Sequence, residues 1–186
     1  MKYFLLRDDV YFPQRWHLGE ITQVEDNWCF TAGNAVDLND IPNRLQIRLY
    51  KDGIPMDYTT NGAFSVPVVS DKVRLQLGGV KGLQFIPVEV SGKNVYTNFF
   101  IMVVANVVCC VDEKESVFGK FIENDPIRPD KAGQYSWFTK LIIKKDKAQN
   151  EDVFRIKNAE NYIIISERVK AALEDVGATG IDLQEV

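Results

Sequence analysis

Histidine is nearly absent from this 186-residue sequence, so any chemistry that needs a neutral-pH imidazole must rest on His17 alone. Its setting, Arg15-Trp16-His17-Leu18-Gly19-Glu20, is flanked by an aromatic residue and reads as a structural, hydrogen-bonded position. Cysteine is also scarce. Cys29, Cys109 and Cys110 are an odd number with two adjacent, which excludes a paired secreted framework and fits reduced thiols. On a strand, neighbouring cysteines face opposite ways, so at most one of the pair can line a given site. Zinc would need three distant segments to converge, and there is no calcium-type loop of alternating acids. No metal or cofactor is expected.

Positive charge is in deficit as well. Lys and Arg total 22 against 26 Asp and Glu, a net charge of −4, which disfavours nucleic acid as a partner. Long apolar runs are missing: the longest, Phe99–Val111, is interrupted by Asn106 and falls short of the roughly 20 residues that a membrane helix requires. The opening Met1-Lys2-Tyr3-Phe4-Leu5-Leu6-Arg7-Asp8-Asp9 meets acid where a small-residue cleavage site would stand. A cytoplasmic protein without a membrane partner is the expectation.

Catalytic motifs are lacking too. Gly78-Gly79-Val80-Lys81-Gly82 has neither the spaced glycines nor the Lys-Ser/Thr pair of a phosphate loop, and reads as a helix stop in the left-handed conformation. Pro129-Asp130 followed by Asp146 invites comparison with a magnesium nuclease, but Asp146 precedes Lys147-Ala148, so the expected lysine two residues on is missing. A metal-dependent nuclease or other hydrolase with a dispersed carboxylate site stays as the alternative class. A purely structural, homo-oligomer-forming protein is a third.

What the sequence does hold is core: 46% of its residues are hydrophobic and 11% aromatic, enough for one domain spanning 1–186. Short runs with turn punctuation predict strands at Tyr3–Leu6, Leu45–Tyr50, Gln84–Val90, Val95–Val111, Phe138–Lys144, Val153–Ile156, Tyr162–Ile165 and Ile181–Val186. Two helices follow Ser70 and Ser166, with Val73, Leu77, Val80 and Val169, Leu173, Val176 at helical spacing. Each serine is placed to cap its helix, with Asp71 and Glu167 at the positive end. The fold class is α+β, mainly antiparallel sheet with two short amphipathic helices. Residues 67–90 and 163–186 align without gaps as a strand, serine, helix, strand unit, with Ser70 on Ser166 and Leu77 on Leu173. Duplication and convergence on one pattern are both open readings of that repeat.

The spread of this pattern carries a resemblance. The Arg15–Glu20 segment, Pro67-Val68-Val69-Ser70, Cys110-Val111-Asp112, Val153-Phe154-Arg155-Ile156, Ile164–Glu174 and Gly177–Ile181 together resemble a bacterial polymorphic-toxin immunity family, formerly known as a domain of unknown function. These are fold signatures and mark no active site. The resemblance implies a non-enzymatic immunity protein that neutralises a cognate toxin by stoichiometric binding, without fixing the toxin's chemistry.

An inhibitor of that kind needs charge for its on-rate and buried aromatic anchors for its off-rate. Residues 112–127 hold five acids, Asp112, Glu113, Glu115, Glu123 and Asp125, against Lys114 and Lys120, and are followed by a basic block over 128–147. Gly119 and Pro126 suggest that the acidic stretch projects as a loop. It is the expected toxin-facing surface, with Trp16 and Trp137 as anchors; Trp28, Tyr58 and Tyr135 are further aromatic candidates. The competing reading is that the two blocks merely balance each other.

Overall fold

The computed structural model describes residues 1–62, 64–92, 95 and 97–186. In chain order the strands begin with β1 (Tyr3–Asp8), β2 (His17–Ile21), β3 (Leu45–Lys51), β4 (Tyr58–Thr60) and β5 (Pro67–Ser70), which runs into α1 (Asp71–Leu77). Then come β6 (Leu83–Ser91), β7 (Phe99–Val104), β8 (Val107–Val108), β9 (Val117–Lys120) and β10 (Tyr135–Lys140). The chain ends with β11 (Val153–Ile156), β12 (Ala159–Ser166), α2 (Glu167–Asp175) and β13 (Ile181–Glu185).

Six strands form one sheet in the order β2-β3-β6-β7-β5-β4, and five form another in the order β13-β1-β12-β11-β8. A separate two-stranded arm pairs β9 with β10. Pairing is antiparallel except for β3 with β6 and β8 with β11, so both large sheets are mixed and the fold is α+β. The sheets curl toward each other where Thr60 on β4 donates from its backbone N–H and hydroxyl to Asp8 on β1.

Strand alternation divides the interior into three layers. Val69 and Met102 from one sheet meet Leu6, Val153 and Ile165 from the other in a central core, which Val73, Leu77, Val169 and Leu173 of the helices complete. The neighbouring residues face outward into separate cores. Val68 and Ile101 pack with Trp16, Phe30, Ile47 and Met56 of the segment after β1. Leu5 and Ile164 pack with Cys110, Leu141 and Ile143 of the segment after β7.

Three expectations are corrected. The strand foreseen over Val95–Val111 is β7 and β8, separated at Ala105-Asn106, because the Asn106 amide bonds Glu151 and the backbone turns there to pair with β11. Ser70 begins α1 but makes no side-chain cap; its hydroxyl donates to Asp57 at 2.7 Å. Ser166 does cap, accepting from the Val169 N–H at 3.3 Å while donating to Asp152 at 2.8 Å. In the glycine run, Gly78 ends α1 in the right-handed region and Gly82, at φ +86°, takes the left-handed one.

Candidate functional site

The acidic stretch is more ordered than a projecting loop. Ser116 anchors it by exchanging hydrogen bonds with the Ile142 backbone at 3.0 and 3.1 Å, which commits the next residues to β9. Gly119 therefore lies inside a strand, under the indole of Trp137, where a Cβ would collide with Nε1. On the other side of the arm Phe118, Tyr135 and Phe138 pack with ring centroids 4.9 to 6.1 Å apart, and Lys120 lies over the Tyr135 ring.

Three of the five acids are used within this frame. Glu113 takes the Lys120 ammonium at 2.7 Å and the Tyr135 hydroxyl at 2.6 Å, and these bonds hold its carboxyl below the usual range. Burial and the Glu113 carboxylate push the Tyr135 hydroxyl upward. Asp112 accepts from the Lys114 N–H, and Asp125 accepts from the Ile127 and Arg128 N–H groups to shape the tip of the arm. Glu115 and Glu123 are exposed, and among the described residues neither carboxylate has a salt-bridge partner.

The expected aromatic anchors separate. Trp16 is 0% exposed and stacks on Phe99 at 4.9 Å, so it is a core residue and leaves the partner-facing set. Tyr58 is also buried. Trp137 is 49% exposed on β10 and shares the arm with exposed Val117, Ile122 and Ile127, the last at 82%. Trp137 and the two free acids thus share one arm region. Ile122 and Ile127 were absent from the sequence expectation; their signal was two aliphatic residues bracketing a polar, proline-containing tip.

Beside the arm lies a cleft of about 470 Å³, lined by Trp28, Phe121, Lys131, Gln134, Ser136 and Asn158 among others. Lys131 stands over both the Trp28 ring, at 5.4 Å, and the Phe121 ring, at 6.0 Å. Arg128 at its edge is paired with Asp130 at 2.8 Å.

His17 is exposed on β2 and its imidazole makes no hydrogen bond among the described residues, and Asp130 and Asp146 pair with Arg128 and Lys147. Cys109 is exposed and Cys110 buried, as opposite-facing neighbours should be, and burial pushes the Cys110 thiol up to about 12. Among the described residues no three His, Cys, Asp or Glu side chains stand in metal-binding proximity. No helix there is long and apolar enough to cross a membrane. Arg155, 0% exposed, gives one N–H to the Glu160 carbonyl, and desolvation lowers its guanidinium to about 10.

No curated protein matches the chain. A family model does, the immunity protein family (Imm11), over residues 7–186; with nearly the whole chain matched, it belongs to that family of toxin-neutralising proteins.

Proposed function

We propose that the protein neutralises a cognate toxin by direct, stoichiometric binding in the cytoplasm and catalyses nothing itself, and that the β9–β10 arm is the toxin-facing surface. The observation that carries this reading is the composition of the arm. Exposed Val117, Ile122, Ile127 and Trp137 stand beside two carboxylates, Glu115 and Glu123, that have no salt-bridge partner among the described residues. An arm outside both large sheets can present apolar anchors without disturbing the core, and free carboxylates suit a basic substrate cleft on a toxin. Asp112, Glu113 and Asp125 hold the arm in shape and contribute to its negative field.

Two variants of the full chain, titrated with the cognate toxin domain, test the assignment. Glu115→Lys with Glu123→Lys should slow association and weaken its salt dependence while leaving the melting temperature unchanged. Trp137→Ala with Ile127→Glu should speed dissociation. Unchanged rates in both would remove the arm from the interface. The purified protein alone should turn over no nucleic acid, nucleotide or ester; turnover abolished by one carboxylate substitution would overturn the non-enzymatic reading.

A further inference from the structure

We infer that the chain is two copies of one fold unit joined head to tail, β1 through β6 and β7 through β13, which have exchanged their first strands. β1 begins the first unit yet pairs with β12 and β13 of the second. β7 begins the second unit and pairs with β5 and β6 of the first. The central core is then the interface between two equivalent units, a strand-exchanged pair of the kind formed by domain swapping but covalently linked.

The equivalence rests on contacts that recur at a constant offset of 96 residues. Ser70 is in register with Phe99, and Ser166 with Tyr3. The Asp71 N–H donates to the Asn98 carbonyl at 2.9 Å, and the Glu167 N–H to the Lys2 carbonyl at 2.9 Å. Arg74 lies over the Phe100 ring at 4.8 Å, and Lys170 over the Phe4 ring at 5.4 Å. Each contact made by the helix start of one unit reaches the exchanged strand of the other at the matching place.

A second set lies inside each unit. Ser70 donates its N–H to the Asp57 backbone carbonyl at 2.9 Å and its hydroxyl to the Asp57 carboxylate at 2.7 Å, and Lys72 pairs with that carboxylate at 2.7 Å. Ser166 makes the same two bonds to the carbonyl and carboxylate of Asp152, both at 2.8 Å, and Arg168 pairs with that carboxylate; here the offset is 95, one residue short of that between the serines. After the helices the offset becomes 98, because α2 is two residues longer than α1. The match then resumes: Gly82 and Gly180 have φ of +86° and +81°, and their carbonyls accept from Ala105 at 2.9 Å and Asp9 at 3.0 Å.

Helical patterning alone selects a serine before a helix and apolar residues within it. It does not select an aspartate 13 or 14 residues upstream whose backbone carbonyl takes that serine's N–H and whose carboxylate takes both its hydroxyl and the basic residue two places on. Nor does it select a left-handed glycine whose carbonyl receives the residue just past the exchanged strand. The central core draws on equivalent positions of both units, Leu6 and Met102, Tyr58 and Val153, and Val73 and Val169. The segments between β1 and β4 and between β7 and β11 also hold equivalent places, and these differ most: the first makes β2 and β3, the second β8 and the arm.

This inference does not depend on the toxin. Hydrogen exchange on the intact chain tests the exchange of strands. Leu5→Ala should lower protection over β12 and β13 in the second unit and spare β4 through β6; Ile101→Ala should do the reverse. Deprotection confined to the substituted strand's own unit would overturn the inference. The equivalence has a separate test, transposing residues 71–77 and 167–173 within one chain. Because each helix finds the matching aspartate, aromatic ring and core partners, the melting temperature should move by less than about 5 °C. Loss of the cooperative transition in the transposed chain would show that the two places are not equivalent.

Discussion

Asp57 and Asp152 fasten the chain just before β4 and β11. Burial disfavours both charges, but Lys72, Thr179 and Ser70 around the first, and Arg168 and Ser166 around the second, more than offset it and hold both carboxyls below the ordinary value. Stability from these groups is therefore full above the unfolded carboxyl value of about 3.9 and is lost as pH falls through the lower folded values. Asp57→Asn with Asp152→Asn should flatten the acid limb of a stability–pH curve measured by urea unfolding; an unchanged limb would show that other carboxylates carry it. The serines separate by role. Ser166→Ala loses a cap and a bond to Asp152, and should cost about 1 to 2 kcal/mol; Ser70→Ala loses only its bond to Asp57, about 1 kcal/mol. The position of both serines was legible in the sequence, as was the start of each helix. Their partners were not, since Asp57 and Asp152 lie 13 and 14 residues upstream and only the tertiary hairpins bring them back.

At the scale of elements, apolar periodicity located both helices and most strands of the large sheets, because alternating burial on two faces leaves a mark on the sequence. The arm left a weaker mark. One face of β9 and β10 carries Phe118, Tyr135 and Phe138, but Gly119 reads as a loop residue until the Trp137 indole is placed against it. Trp16 gave no sign of its burial, since an aromatic residue beside arginine and histidine suits a surface equally well. Gly119→Val should displace Trp137 and loosen the arm, raising proteolysis between β9 and β10 while the global melting temperature changes little. Cleavage unchanged from the parent would mean that the indole does not hold the arm. By contrast, Leu173→Ala empties part of the central core between the sheets and should cost about 2 to 5 kcal/mol by denaturant unfolding.

For the whole molecule, membership of an immunity family was legible because its signatures are spread from the Arg15–Glu20 segment to Gly177–Ile181 and record the fold. The ungapped match of residues 67–90 with 163–186 keeps step only through the serines and the first turns of the helices, because α2 is two residues longer than α1, and the exchange of β1 and β7 left no mark in it. Nothing in local periodicity says which sheet a strand will join. The partner surface was legible only in part. Charge counts singled out the acidic stretch, but the internal bonds of Glu113 and Asp125 leave Glu115 and Glu123 as its members without an ion-pair partner among the described residues. Neutralisation by binding makes one requirement above the rest, a tight complex of fixed composition. Calorimetric titration of the intact protein with its cognate toxin domain should saturate at one toxin per chain with an affinity of about nanomolar or tighter. Protection of cells from that toxin, with no heat of binding and no complex at micromolar concentrations, would contradict the account.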